Sequence, residues 1–152
     1  MEAGRFAAVL GVLSAAHDLA DHLVQTDRQA AEKPHDWTAM AGHVGSYTAT
    51  QTLALMGLHV AGVPLRRGRV AAGLALSAAT HAFLDRRWPV LQLLRATGSA
   101  GFAASGVGEQ NVAVREGNAR IPGFLAPVSG PHVADQALHH VCIALAAAVV
   151  AG

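Results

Sequence analysis

The chain contains the stretch Ser14-Ala-Ala-His17-Asp-Leu-Ala-Asp21-His-Leu-Val-Gln25-Thr-Asp27, inside an alanine-rich run that has no proline before residue 34. This composition predicts a helix. Because His17, Asp21 and Gln25 are spaced by four residues, they share one face of that helix. A histidine and a carboxylate one turn apart can bind the same metal ion or share one proton.

The same four-residue spacing recurs in three later apolar segments. It relates His43, Tyr47 and Gln51, then Ser77, His81 and Asp85, and finally Asp135 and His139. Ionisable groups are costly inside apolar helices, and there they tend to mark function. The recurrence therefore indicates a chemical site built from several helices.

Composition favours a membrane protein. Hydrophobic residues make up 52% of the 152 residues and charged residues only 14%, whereas an ordinary soluble domain has about 25% charged residues. The net charge of +1 gives no support for a nucleic-acid partner.

The chain has one cysteine, which excludes an internal disulfide. The length fits a single domain, residues 1–152.

Proline, glycine and polar residues divide the chain into helices. We predict four long helices over about residues 5–33, 36–63, 70–88 and 132–151, a short helix near 90–97, and a long Gly-rich loop over about 97–131. The apolar part of the first helix is long enough to cross a ~30 Å hydrocarbon layer. His17, Asp18 and Asp21 interrupt it, which argues against a signal peptide. The predicted fold is an all-α antiparallel bundle of about four long transmembrane helices.

In such an antiparallel arrangement the polar turns fall at one end. They lie in the later half of the first and third helices and in the early half of the second and fourth. We predict that seven residues converge there as metal ligands: His17, Asp21, His43, His81, Asp85, Asp135 and His139. Gln25, Tyr47 and Gln136 are predicted to support them. The alternative is a set of buried hydrogen-bonded pairs that fix the helix register.

The predicted cofactor is a divalent transition metal. Imidazole and carboxylate ligands suit Zn, Fe, Mn or Ni, and the sequence does not choose among them. Four histidines and three aspartates exceed one tetrahedral shell. Some of them would therefore orient the ligands or bind a second ion, so the prediction is one or two ions.

These motifs resemble those of the bacterial and phage membrane proteins grouped as domain of unknown function 3307. That family carries H-x-x-x-D-F-x-x-Q-T-D on its first helix, a lysine soon after, a histidine on the second helix, H-x-x-x-D on the third and D-Q-x-x-H on the last. Here the positions are His17 to Asp27, Lys33, His43, His81-Ala-Phe-Leu-Asp85 and Asp135-Gln136-Ala-Leu-His139. His22 stands where the family usually has an aromatic residue.

The resemblance spans nearly the whole chain except the Gly-rich loop. It implies a multi-pass protein of the bacterial inner membrane and no established activity. The motifs are also similar in style to integral-membrane proteins described as metal-dependent hydrolases, which use H-x-x-x-D on membrane helices; this is an analogy.

Three classes of function remain open. The first is a membrane metal-dependent hydrolase that acts on a lipid or another small molecule. The second is a transporter or relay of metal or protons, for which a second polar layer would be needed; Thr48, Thr50 and Thr52 are the candidates. The third is a non-catalytic structural protein with a buried polar core. A soluble metal-binding bundle is the alternative at the level of fold.

The expected surroundings are a lipid bilayer, with a protein partner or a second copy of the chain left open. Arg66, Arg67 and Arg69 favour a cytoplasmic turn after the second helix, which would put the polar cluster near the outer face. Arg86 and Arg87 oppose that orientation.

Overall fold

Helix accounts for nearly all of the backbone in the computed structural model, which describes residues 2–105 and 129–152. Within those ranges there is no strand, so the predicted all-α class is confirmed. The described residues form seven α-helices: α1 (Ala3–Leu19), α2 (Asp27–Glu32), α3 (Trp37–Val60), α4 (Arg67–Leu84), α5 (Trp88–Ala96), α6 (Ala100–Ala104) and α7 (Gly130–Ala151). A π-helical turn, Ala20–Val24, continues α1.

The first helix is shorter than predicted. Instead of continuing to Lys33, it ends after the π turn, where Gln25 has extended backbone with ψ 141°. Thr26 then caps α2. Its hydroxyl accepts from the Gln29 N–H at 3.2 Å, and its own N–H donates to Gln29 Oε1 at 2.9 Å. This reciprocal capping box starts a new helix in the polar segment that follows the apolar run, which is why the prediction of one continuous helix was wrong.

The start of α3 agrees with the sequence prediction. The carboxylate of Asp36 accepts from the Ala39 N–H at 2.7 Å and the Thr38 N–H at 3.2 Å. These backbone donors hold the pKa of Asp36 below its usual range. The helix ends at Val60, and Gly62 follows with φ +99°, a conformation that favours glycine.

The third long helix is shifted toward the N-terminus relative to the prediction. It covers Arg67–Leu84 instead of about 70–88. Pro89 does not end it; Pro89 lies in the first turn of α5, where proline is well tolerated. The short helix predicted near 90–97 is α5. The predicted loop of 97–131 contains α6, and its residues 106–128 lie outside the described ranges.

The chain divides into two compact units, Met1–Arg86 with His139–Gly152, and Arg87–Leu138. The first unit has an apolar core to which α1, α3 and the second half of α7 contribute. The core residues are Val9, Leu13, Leu55, Ile143, Ala147, Val150 and Ala151. Leu58, Val70 and Leu74 pack against it.

Among the described residues, two helical segments are long and apolar enough to cross a membrane, Ala3–Val24 and Gly130–Ala151. The prediction of four transmembrane helices is therefore not confirmed; the first and the last long helices are candidate spans. The other two long helices are less apolar because α3 carries glycine, serine, threonine and histidine, and α4 begins with Arg67 and Arg69.

Close packing between α4 and α7 generates a prediction about Gly73. A Cβ added there would meet the Val150 side chain and lie 3.0 Å from the Ala146 carbonyl oxygen. We expect Gly73→Ala to lower the free energy of unfolding by about 1–3 kcal/mol because the two helices must separate. Thermal unfolding in detergent, followed by circular dichroism, measures the change.

The matched control is Gly45→Ala on α3, where an added Cβ meets nothing within 4 Å. Alanine should stabilise that helix by up to about 1 kcal/mol. Equal unfolding midpoints for the two variants would contradict the close packing of α4 and α7.

Candidate metal centre

Six of the seven predicted metal ligands come together in the first unit. His17 lies on α1, Asp21 in the π turn, His43 on α3, His81 on α4, Asp85 directly after α4, and His139 on α7. All six are buried. The seventh, Asp135, lies on α7 in the second unit, where the Gln136 side chain donates to its carboxylate at 3.5 Å.

Four of these residues form a compact set of donor atoms, which we call the ligand tetrahedron: Asp21, His43, His81 and Asp85. The two Nε2 atoms of His43 and His81 are 2.8 Å apart. Asp21 Oδ1 lies 3.1 Å from His43 Nε2 and 3.3 Å from His81 Nε2. Asp85 Oδ2 lies 3.1 Å and 3.2 Å from the same two nitrogens.

These separations match the geometry of a small divalent cation. In a regular tetrahedron the edge is roughly 1.6 times the distance from centre to corner, so zinc bonds of about 2.0–2.1 Å give edges of about 3.3 Å. Five of the six edges here measure 2.8–3.3 Å, and the four donor atoms all lie within 4.8 Å of one another.

The hydrogen-bonding of the carboxylates also fits a cation. Among the described residues, Asp21 Oδ1 and Asp85 Oδ2 are buried and receive no well-directed hydrogen bond, although imidazole nitrogens lie close to both. Buried carboxylate oxygens are normally hydrogen-bonded or bound to a metal. The contacts therefore resemble the ligands of one ion more closely than a network of hydrogen bonds.

His17 and His139 lie on the far side of the two carboxylates. His17 Nε2 is 3.7 Å from Asp21 Oδ2, and His139 Nε2 is 3.7 Å from Asp85 Oδ1. His139 Nδ1 is also 3.2 Å from His81 Nδ1. These two histidines therefore orient the ligands through the atoms that face away from the ligand tetrahedron. They also form, with His81, a second group whose nitrogens lie within 4.8 Å of one another.

The π turn determines where Asp21 points. In the π turn the Gln25 N–H bonds to the carbonyl of Ala20, five residues earlier, at 3.0 Å. Such wide turns are rare and often occur at functional sites. Gln25, predicted to support the ligands, donates its side-chain amide to the backbone carbonyl of Asp21. It therefore holds the backbone of the turn and not the carboxylate.

Tyr47 supports His81, as the sequence suggested for a residue beside the ligands. Its ring stacks on the imidazole with a centroid separation of 3.8 Å and an angle of 13°. The hydroxyl accepts from Gln51 Nε2 at 2.7 Å and lies 2.8 Å from Ser77 Oγ, to which it can donate. The ring plane of His81 is thus fixed by a polar chain that joins α3 and α4.

Lys33 is a site residue that the spacing argument missed. It precedes Pro34 in the segment between α2 and α3 and is buried. Its Nζ lies 3.0 Å from Asp85 Oδ1, 3.3 Å from His43 Nε2 and 3.8 Å from Asp21 Oδ1. The lysine in the family motif was the only signal for it, because Lys33 belongs to none of the four-residue pairs.

One more positive charge, from a protonated histidine or from a metal, is needed to balance the two ionised carboxylates and Lys33. With both carboxylates ionised and Lys33 charged, these three groups sum to −1. A buried net charge is costly unless it is paired. A divalent ion with the two aspartates alone would be neutral.

Comparison of the chain with protein-family models, with curated proteins and with solved structures found no match.

Proposed function

We propose that the chain is an integral membrane protein that binds one divalent transition metal ion between Asp21, His43, His81 and Asp85. The observation that carries this proposal is the ligand tetrahedron, whose measured edges suit metal–ligand bonds of about 2 Å. Its donors come from three separate segments, and their convergence is hard to explain by helix packing alone.

Zinc is the ion that this geometry favours among Zn, Fe, Mn and Ni. Zinc accepts four tetrahedral nitrogen and oxygen ligands, whereas manganese usually takes octahedral oxygen sites. One ion accounts for the four short-range ligands. His17 and His139 then serve as partners of the carboxylates, so a second ion is not required by the geometry.

A membrane location is supported by the two candidate spans, Ala3–Val24 and Gly130–Ala151. Large apolar side chains on the long helices are also exposed. Leu53, Met56 and Val60 on α3 are 68%, 58% and 86% exposed, and Leu145 on α7 is 57% exposed. A lipid bilayer would cover such side chains. We propose the bacterial inner membrane, crossed more than once.

Membership of the family of domain of unknown function 3307 is part of the same proposal. It is supported by the gathering of most of the motif residues in the first unit, whereas Asp135 and Gln136 of the last motif lie in the second unit. The first-helix motif supplies His17 and Asp21, and the later motifs supply His43, His81 and Asp85. The lysine of the motif, Lys33, contacts the same carboxylates.

The metal proposal predicts one equivalent of metal per chain in protein purified in detergent without a polyhistidine tag. The double variant His43→Ala/His81→Ala should lose the metal because two of four ligands are gone. Removing the metal from the wild type with a chelator should lower the unfolding midpoint by about 10 °C, since the ion stabilises the folded chain. Elemental mass spectrometry and thermal unfolding are the measurements.

His59→Ala is the control, because this exposed histidine on α3 contacts the carbonyl of Val63 and not the ligand tetrahedron. It should retain the full metal content. Wild-type protein that is folded and metal-free after growth and purification without chelator would refute the proposed site.

The membrane proposal is tested at Leu145. On a lipid-facing surface, Leu145→Asp should reduce the amount of protein recovered in the membrane fraction, because a carboxylate near the helix centre costs about 3 kcal/mol on insertion. Leu145→Ala should behave as the wild type. An aqueous surface would accept aspartate at so exposed a position, so equal recovery of both variants, or wild-type protein soluble without detergent, would argue for a soluble bundle.

Metal-assisted hydrolysis is a second candidate function, favoured by the donor set. Structural zinc sites usually contain cysteine, whereas this one has only imidazole and carboxylate. A bound divalent ion would act as a Lewis acid and lower the pKa of a bound water.

Transport is less well supported. The hydroxyls of Thr48, Thr50 and Thr52 each donate to a carbonyl four residues earlier in α3, at 2.7–2.9 Å. Such bonds satisfy threonine within its own helix. Beyond Gln51 along α3 lie Leu55 and the apolar core. These residues do not provide the second polar layer that a pathway would require.

Cobalt substitution separates hydrolysis from a purely structural role. A catalytic site keeps a position open for water, whereas a structural site is closed by four protein ligands. If Asp85 can leave the ion, azide should bind and change the visible spectrum of the Co²⁺ protein. If azide leaves the spectrum of the Co²⁺ protein unchanged, the result would favour a purely structural metal site. Asp85→Asn, which weakens the fourth ligand, is the positive control.

A further inference from the structure

We propose that Lys33 is an internal competitor of the metal: its ammonium holds the carboxylates of Asp85 and Asp21 whenever no metal does, and it must leave when the ion binds. Lys33 would thereby set the affinity and selectivity of the site. This inference rests on the proposed metal site and names the residue that regulates its occupancy.

Lys33 pairs with both carboxylates of the ligand tetrahedron, although it meets Asp85 at Oδ1 and not at Oδ2, the oxygen close to His43 and His81. Its Nζ lies 3.0 Å from Asp85 Oδ1 and 3.8 Å from Asp21 Oδ1. It is also 3.3 Å from His43 Nε2, the nitrogen that faces the ligand tetrahedron. The ammonium therefore approaches three of the four ligand residues, and a metal between those residues would be its close neighbour.

Electrostatics makes the two cations mutually exclusive. A dication and an ammonium on the same carboxylates repel strongly, because the surroundings are buried and screening by water is weak. With both aspartates ionised, the divalent ion alone gives a neutral centre, whereas the ion together with Lys33 gives +1. Exchange of the ammonium for the metal is therefore favoured over binding of both.

The use of lysine and not arginine at position 33 also supports the proposed competition. Lys33 is the single lysine among the 11 lysine and arginine residues of the chain. Elsewhere the chain uses arginine for positive charge. An ammonium is a compact point charge on a flexible stem, whereas guanidinium is a planar fork. Only lysine can place a charge of nearly ionic size among the ligands and then withdraw it.

The backbone around Lys33 allows that movement. Arg86 donates to the carbonyl of Lys33 at 3.4 Å, and its guanidinium lies 4.4 Å from the centre of the Trp37 ring. The segment is therefore held at its backbone while the side chain supplies the motion. Four rotatable methylene groups can carry the ammonium away without unfolding α2 or α3.

A competitor of this kind selects for tightly bound ions. Mg²⁺ and Ca²⁺ prefer six or more oxygen ligands and gain little from two imidazoles. Zinc gains from all four donors and can therefore displace the ammonium. Lys33 thus raises the threshold for occupancy without contributing a ligand.

The first test compares the zinc affinity of Lys33→Met with that of the wild type. The affinity is measured in detergent by competition with a chromophoric chelator. We expect the variant to bind Zn²⁺ at least about a hundredfold more tightly, because its two carboxylates have lost their resident cation. Lys33→Arg, which keeps a cation, should not show this gain. Arg28→Met is the matched control, because Arg28 is exposed on α2 and pairs with Glu32 at 2.8 Å. It removes a positive charge that does not touch the ligand tetrahedron and should leave the affinity within a few-fold of the wild type.

Amine labelling of the wild type is the second test, and it does not depend on a variant that folds. An acetylating reagent should modify Lys33 slowly in chelator-treated protein and at least about tenfold faster with one equivalent of Zn²⁺, as read from the peptide containing Lys33 by mass spectrometry. Burial and ion pairs protect the Lys33 amine from acetylation in the metal-free protein. Metal binding would remove both, because the ammonium must then leave the carboxylates.

The outcomes separate the two proposals. Wild-type protein that binds zinc stoichiometrically, with an affinity unchanged in Lys33→Met or with Lys33 equally unreactive in both states, overturns the competition and leaves the metal site standing. Wild-type protein that binds no zinc overturns both.

Discussion

Burial of two carboxylates at one point is the constraint on which the rest of this structure depends. Asp21 and Asp85 are almost fully buried, and each oxygen of each carboxylate faces a histidine nitrogen, with Lys33 an additional partner. Unpaired, such charges would be too costly for so small a protein. The desolvation cost of the two carboxylates is offset by their contacts with the four histidines, with Lys33 and with the proposed metal.

Neighbouring parts of the fold orient the side chains that contact the two carboxylates. The π turn sets the direction of Asp21, and the stacked ring of Tyr47 sets the plane of His81. Beyond Gln51 the first unit is apolar, so the polar groups are confined to one region while alanine and branched aliphatic residues pack the helices elsewhere. A metal joining the π turn, α3 and α4 would add a strong link to a fold that is otherwise held by apolar packing. Such a link offers both rigidity and a reactive centre, and these two uses are compatible.

A buried centre with two carboxylates must also avoid binding the wrong ion. Four donors of mixed type favour zinc-like ions, but carboxylates alone attract many cations. A tethered ammonium offers discrimination without a larger site, because only ions that gain from the imidazoles can replace it. The proposed site would thus couple charge burial and helix packing to metal selectivity.

The sequence by itself determined the features that depend on neighbours in the chain. Helical class, the four long helices, and the shared face of His17 with Asp21 or His81 with Asp85 follow from local periodicity and from proline and glycine positions. Only the tertiary structure decided which residues share one centre. Rotation and axial shift of each helix put His43 and His81 at the ligand tetrahedron and His17 and His139 behind it. The capping box at Thr26 and the approach of Lys33 were likewise beyond a spacing argument, because a local turn and a long-range ion pair leave no periodic signal.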